Sequence, residues 1–353
     1  MSGIYLLNCW YVAAWASELA PGRHLRRVLL GEPVLLLRGQ SGETAAIGNV
    51  CPHRFASLSD GKFENDVVEC PYHGLRFAMS GQCVHNPHGD GKIPERAKVR
   101  SYPVAEKYGA IWIWPGDPEA ADRGIIPDFS FLDVPIETER AGGHLRTDAN
   151  YQLLTDNILD LSHADFVHTT TLSTGGDIAR CQAKAQVDGE VVSVKWVFDG
   201  KGMVMNRSAE NPVDVHTEFE VIWHAPGAMI LKSASRPVEA ETGVGHTRVA
   251  AHIMTPETDK STHYFFDVAD RRYLDRVTQI FEEEDGVMLE QIQRNMRGED
   301  LWDLHPAILS SDRGAVLARR TLQRKIRHEQ ESQVDRASSP AESVEAEADA
   351  HVR

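Results

Sequence analysis

"CPHRFASLSD" (51–60) and "CPYHGLRFAM" (70–79) each place a Cys and a His almost side by side, with one short loop between the two stretches. Cys51-x-His53 and Cys70-x-x-His73 thus offer two thiolates and two imidazoles, donors suited to zinc or to an iron–sulfur cluster. Structural zinc sites usually pair like with like, as CxxC and HxxxH, whereas each stretch here supplies one donor of each kind.

That mixed supply matches a Rieske [2Fe–2S] centre, in which two cysteines hold one iron and two histidines the other. Rieske proteins of respiratory complexes carry one further Cys in each loop, joined as a disulfide. Ala56 and Tyr72 stand there in this chain, so the likeness is to Rieske-type oxygenases and ferredoxins. Cys9 and Cys83 read as buried free thiols.

Up to about residue 115, short apolar runs alternate with turn signals: "EPVLLLRG", "ETAAIGNV", "DVVECPYHG", "LRFAMSGQCV" and "GAIWIWPGDP". This is the texture of a small antiparallel β domain. We place that domain at 1–118, a Pro/Gly/Asp-rich linker at 119–143 and a second domain at 144–328. An acidic tail, poor in large apolar residues, is expected to be disordered over 329–353. With 353 residues and 42% apolar content, the chain can bury a core in each domain. A formal net charge of -15 repels phosphate backbones and excludes nucleic acid as a partner. Five cysteines, an odd number, form no disulfide framework and fit a reducing compartment. No basic segment precedes the apolar opening "MSGIYLLNCWYVAAW", which reads as a strand rather than a signal peptide, and no stretch is long and apolar enough to span a bilayer. The expectation is a cytoplasmic protein that does not engage a membrane.

Beyond the linker, "NYQLLTDNILDLSHADFVH" (150–168) has helical spacing. Strand-like runs come next ("EVVSVKWVFDG", "HTEFEVIWHA", "GAMILKSAS", "GHTRVAAHIM", "THYFFDVAD"), then a long helix over about 271–298. Sheet and helices together give an α+β domain. Asn157, Asp160 and His163 step by three along one helical face. His168, five residues past His163, can join it at a metal only if the helix ends or bulges between them. On the later helix, Phe281, Met288, Leu289, Ile292 and Met296 form an apolar stripe with Asp285 in its middle, while Glu282, Glu283 and Glu284 fan away. A carboxylate on a core-facing stripe needs a compensating charge, and a metal cation supplies it directly. A salt-bridged or capping Asp is the alternative. His163, His168 and Asp285 make the two-histidine, one-carboxylate set of non-haem Fe(II).

"CPHRFASLSDG", "CPYHGLRF", "CVHNPHG", "IWIWPGDP", "DNILDLSHADFVH", "HIMTPET" and "EEEDGVMLEQIQRN" together resemble the oxygenase component of Rieske non-haem iron monooxygenases, most closely the aromatic O-demethylases. The resemblance runs from about residue 4 to 328. It implies an all-β Rieske domain followed by a helix-grip domain, in which a curved antiparallel sheet wraps a long helix carrying Asp285. It implies that Cys51 and Cys70 bind one cluster iron, His53 and His73 the other, and His163, His168 and Asp285 the mononuclear iron. It implies a homotrimer in which Asp160 bridges one subunit's cluster to the next subunit's iron, accepting hydrogen bonds from His163 and from His73 of the neighbour. Asn157 matches an Asn close to that iron, and His252 lies on a strand able to face the substrate.

The same resemblance implies dioxygen as co-substrate and NADH oxidised elsewhere. No GxGxxG opens a helix after a strand, so a separate flavin/iron–sulfur reductase, with or without a ferredoxin, must deliver electrons. Oxidation of a methoxy methyl gives a hemiacetal that collapses to a phenol and formaldehyde. N-demethylation and methyl or ring hydroxylation use the same metal ligands and stay open. A Rieske electron carrier without oxygen chemistry leaves Asp285 and the second domain unexplained. An aromatic carboxylate calls for a donor or cation, and Lys232, Arg207, Arg236, Arg248 and His252 are candidates.

Overall fold

The computed structural model describes residues 4–133, 139–204, 213–239 and 246–338. The N-terminal domain is built of short strands, Tyr11–Trp15 (β1), Arg23–Leu29 (β2), Glu32–Arg38 (β3), Thr44–Gly48 (β4), Lys62–Glu64 (β5), Val67–Glu69 (β6), Arg76–Ala78 (β7), Cys83–His85 (β8), Ser101–Tyr102 (β9), Val104–Lys107 (β10) and Ala110–Ile113 (β11). They pair in three antiparallel sheets, β1-β11-β10, β2-β3-β4-β9 and β5-β6-β7-β8. The apolar run of β3 is divided by strand alternation. Leu35 and Leu37 pack beneath the Cys/His loops, while Val34 and Leu36 join a core shared with the second domain.

In the second domain Ala141–Thr147 (β12) leads into Tyr151–Leu159 (α1), Ala164–Val167 (α2) and Asp177–Arg180 (α3). The remaining strands are Lys184–Asp188 (β13), Val191–Gly200 (β14), Val215–His224 (β15), Ala228–Pro237 (β16), His246–Thr258 (β17) and Ser261–Val268 (β18). Leu274–Ile280 (α4), a π turn at Phe281–Gly286, Val287–Asn295 (α5) and Arg313–Ser338 (α6) complete the described chain. The strands form one seven-stranded antiparallel sheet, ordered β12-β18-β17-β16-β15-β14-β13. β15 alternates buried and half-buried residues, so Phe219, Val221 and Trp223 face the helices. The opposite face, with Ala228, Ile230, Ala251, Ile253 and Phe265, packs on Trp10, Trp112 and Trp114 of the first domain. The architecture is the expected one, an all-β Rieske-type domain joined to a helix-grip domain.

Two sequence expectations need revision. Described parts of the expected 119–143 linker belong to the two domains' packing: Ile126 and Phe129 are buried in the tryptophan-rich core, and β12 already starts at Ala141. The tail expected to be disordered from 329 is helical as far as Ser338, because α6 runs through that boundary. Glu329 is buried, and its carboxylate accepts from the backbone N–H of Leu7 (2.8 Å) and Asn8 (2.5 Å). A polar composition concealed this anchor, since the single carboxylate is held by main-chain donors far away in sequence. The rest of the tail lies outside the described residues. Among the described residues no helix is long and apolar enough to cross a membrane.

The domains are joined by main-chain and side-chain bonds. Leu30 N donates to Pro256 O (2.8 Å), Gly31 N to Glu257 O (2.7 Å) and Trp15 Nε1 to Gly143 O (2.8 Å). At this joint His144 Nε2 lies 3.1 Å from His263 Nδ1, His263 Nε2 contacts Val28 O at 3.0 Å, and His144 stacks on Phe265. Burial, aided by Arg27, depresses both imidazoles to about 4. The folded state therefore binds fewer protons than the unfolded chain, and stability falls as pH drops from about 6.5 towards 4. Urea unfolding at stepped pH is expected to show this slope, and His263→Gln to reduce it. Glu329→Ala is expected to cost about 1–3 kcal/mol in the same assay, by leaving two backbone donors without their carboxylate.

Candidate metal centres

The two Cys/His loops repeat one backbone design. Cys51 N donates to Ala56 O (2.9 Å) and Phe55 N to Cys51 O (2.9 Å); Cys70 N donates to Leu75 O (2.8 Å) and Gly74 N to Cys70 O (3.0 Å). Phe55 (φ 62°) and Gly74 (φ 72°) hold the same left-handed position in their loops. Between the loops, a Cβ on Gly61 would sit 1.9 Å from Glu69 O, so only glycine permits this approach. Cys51 and Cys70 are buried above Leu35, Leu58 and Phe77, whereas His53 is exposed and His73 half-buried. The two rings are 4.5 Å apart, centroid to centroid. Burial pushes the Cys51 thiol up to about 11, with Cys70 beside it adding to the effect, an unfavourable setting for a thiolate unless a cation is present. His73 Nδ1 is buried with no hydrogen-bond partner among the described residues, a lone pair available to a metal. Paired thiols, paired imidazoles and this orphaned nitrogen all fit a [2Fe–2S] cluster. His88 Nε2 donates to His73 O at 2.8 Å and steadies that loop.

The second site forms where helices break. α1 stops at Leu159, and Asp160 leaves the helical region (φ −129°, ψ 84°). Its carboxylate accepts from Ser162 N (3.0 Å) and Ser162 Oγ (2.6 Å), capping a single 3₁₀ turn that ends at His163. α2 begins directly after this turn and ends at Val167, with His168 as its C-cap. Asn157, Asp160 and His163 therefore do not share one continuous helical face as their spacing suggested. The breaks bring the His163 and His168 rings to 5.3 Å. Asp165 braces the next loop by accepting from Ser173 Oγ (3.0 Å) and Thr174 N (2.6 Å).

Opposite them, the π turn presents Asp285, 5% exposed. Asp285 Oδ1 lies 3.4 Å from His163 Nε2 and 3.2 Å from His168 Nε2, and accepts from Asn157 Nδ2 at 3.1 Å. One donor atom from each of His163, His168 and Asp285 lies within 4.8 Å of the others. Burial works to raise the Asp285 carboxyl, but the two imidazoles outweigh it and hold it well below the usual carboxylate range. Burial likewise works to lower His168, while Asp285 and Glu284 hold it above its ordinary value. Two imidazoles and one ionised carboxylate converging in a buried spot suit Fe(II), with coordination positions left open.

The π turn also corrects the expected stripe. It holds about one more residue per turn than an α-helix, which rotates the residues of α5 relative to α4. Leu289 and Met296 are buried, but Met288 is 43% exposed. Glu284, expected to point away, turns inward: His168 Nδ1 donates to Glu284 Oε2 at 2.5 Å and Thr171 Oγ1 donates to the same oxygen at 2.8 Å. Sequence reasoning missed Glu284 and Thr171, because three consecutive glutamates carry no sign of which one a π turn rotates.

The remaining expected residues are spread more widely. His163 Nδ1 hydrogen-bonds the main-chain carbonyl of Asp160 (2.5 Å), so within the chain that contact uses the carbonyl rather than the expected carboxylate. His252 is buried on β17 with Nδ1 2.6 Å from Tyr264 OH, its ring 5.9 Å from Phe281 of the π turn, and Nε2 without a hydrogen-bond partner among the described residues. Burial depresses it to about 4, although Asp285 pulls the other way. Lys232 is exposed and reaches Glu220 at 3.3 Å, on the sheet face away from His252. Arg236 shares that outward face, and Arg248 is exposed near the start of β17. Arg207 lies outside the described residues.

Comparison with known proteins agrees with this geometry. Residues 9–103 match the Rieske [2Fe-2S] domain, and residues 147–328 match the vanillate O-demethylase oxygenase C-terminal domain. The oxygenase component of dicamba O-demethylase from Stenotrophomonas maltophilia is 40% identical, over 91% of this chain and 97% of that protein. The oxygenase component of chloroacetanilide N-alkylformylase from Rhizorhabdus wittichii is 37% identical, over 92% and 97%. The crystal structure of dicamba monooxygenase bound to dicamba superposes with a TM-score of 0.83 at 37% identity, covering 93% of this chain and 99% of that one. A further crystal structure of that enzyme, with a TM-score of 0.75 at 34% identity and coverage of 93% and 99%, contains non-haem iron and dicamba. The chain belongs to the Rieske non-haem iron oxygenases, as an oxygenase component of the vanillate O-demethylase type. It is accordingly an oxidoreductase.

Asp285→Ala removes the one carboxylate of the His163, His168 and Asp285 set. Iron analysis is expected to show loss of the mononuclear metal, with the visible spectrum of the cluster retained.

Proposed function

We propose that this chain is the terminal oxygenase of a system that O-demethylates a methoxylated aromatic acid and releases formaldehyde. The observation that carries the reading is the converging His163, His168 and Asp285 set, with the buried ring of His252 near Asp285 and its Nε2 without a hydrogen-bond partner among the described residues. His163 Nε2, His168 Nε2 and an Asp285 oxygen would hold the mononuclear iron. Cys51 and Cys70 would hold one cluster iron, His53 and His73 the other. The two metal groups would supply one-electron transfer and dioxygen chemistry, which side chains alone lack.

The chain's own residues bind, orient and exclude water. His252 offers a hydrogen bond to a carboxylate or ring oxygen of the substrate, and Tyr264 fixes the ring that makes it. Phe281, Tyr264 and Phe266 pack around one another and form an apolar wall against which an aromatic ring can lie. Asn157 orients Asp285. A methoxyarene, dioxygen, NADH and a proton give a hydroxyarene, formaldehyde, water and NAD+. NADH is oxidised on a separate flavin/iron–sulfur reductase, with or without a ferredoxin, and the exposed loops carrying His53 and His73 are the face on which it docks. In a homotrimer, Asp160 would link this chain's iron site to His73 of the partner subunit. The setting proposed is the cytoplasm, where the NADH consumed by the reductase is held.

The similarity to a chloroacetanilide N-alkylformylase component favours one second reading, N-dealkylation at the same site. Product masses decide between them when the protein, a compatible reductase, NADH and oxygen meet a panel of methoxylated, N-alkylated and methyl-substituted aromatic acids. Loss of a methylene with matching formaldehyde from a methoxyarene supports the proposal, whereas added oxygen with the methyl retained contradicts it. Asp160→Asn keeps the carbonyl that holds His163 and is expected to retain both metals yet lose turnover.

A further inference from the structure

We infer that Glu284 is a positioning residue for the mononuclear metal: its bond to His168 fixes which imidazole nitrogen faces the metal and strengthens that nitrogen as a donor. The inference rests on the iron site proposed above.

His163 and His168 are held differently. The Nδ1–H of His163 meets a neutral main-chain carbonyl, that of Asp160. The Nδ1–H of His168 meets an anion, the Glu284 carboxylate, at 2.5 Å. With its Nδ1 proton committed there, His168 presents the Nε2 lone pair to the side occupied by Asp285 Oδ1, 3.2 Å away. A carboxylate accepting from the far nitrogen of an imidazole raises its basicity towards a metal. The arrangement is built rather than incidental. Thr171 Oγ1 donates to the same carboxylate oxygen at 2.8 Å, and His168 is 2% exposed, so neither ring nor carboxylate is free to turn. In a regular α-helix adjacent residues point about 100° apart. The π turn at Phe281–Gly286 lets Glu284 and Asp285 both reach the His168 ring, one at each nitrogen. Asp285 and Glu284 together bring two negative charges, which balance a divalent cation.

Glutamine at 284 keeps the length and an acceptor oxygen for His168 but removes the charge. A role in packing alone predicts no change in Glu284→Gln; the positioning role predicts loss of Fe(II) affinity by about 10- to 100-fold. Affinity is read by chelator competition on the full chain with its cluster absorbance intact, and the ferrous site by the EPR signal of its nitric oxide adduct. Weakened iron binding with an altered nitrosyl signal supports the inference. Affinity and signal equal to those of the unsubstituted protein overturn it. Should Glu284→Gln fail to fold, Thr171→Val, which frees the carboxylate to turn, decides instead: several-fold weaker binding supports the inference and unchanged binding overturns it. If Asp285→Ala binds Fe(II) as tightly as the unsubstituted protein, the iron site itself is misassigned, and both readings fall together.

Discussion

A single buried carboxylate sets the terms for the second domain. Asp285 sits 5% exposed at the heart of the fold, and an unpaired charge there would cost several kcal/mol. Two imidazoles and the Asn157 amide compensate it, and each comes from a place where regular structure stops: the end of α1, the 3₁₀ turn after Asp160, and the end of α2. The π turn that delivers Asp285 is likewise an irregularity in a helix. On one continuous helix His163 and His168, five residues apart, would point about 140° away from each other. The seven-stranded sheet supports the interruptions by burying the apolar faces around them.

The N-terminal domain solves a different problem. Its two loops share one hydrogen-bond pattern, which buries the cysteines and leaves the histidines towards solvent. The imidazole side of the loops therefore lies near solvent, while the thiols sit in the apolar core. The sheets beneath are tied to the catalytic domain by a shared core and by strand-to-loop hydrogen bonds, so the loops project from a rigid base. The chain's last described helix returns to this base through Glu329, joining both ends of the fold.

Much of this was legible from residue types. Cys and His in mixed pairs define a cluster chemistry with few rivals, and strand alternation in runs such as "HTEFEVIWHA" gives the sheet. Asp285 could be found because a carboxylate on an apolar stripe is costly. The features that stayed hidden depend on small changes of helical register. Met288 left the stripe and Glu284 entered the site because one turn widened, and no local composition announces a π turn. Asp160 likewise looked helical by spacing, yet its side chain caps a new turn. Glu329 was hidden for another reason, since its partners are main-chain donors far away in sequence.

The central claim is that one chain carries two separate metal groups, a cluster and a mononuclear iron. Iron and acid-labile sulfide measured on the same purified sample test it most directly. The account predicts iron in excess of sulfide by one atom per chain, with the excess, and not the cluster iron, removed by a mild chelator. Equal iron and sulfide after loading with Fe(II) would contradict it and leave a protein that carries electrons without oxygen chemistry of its own.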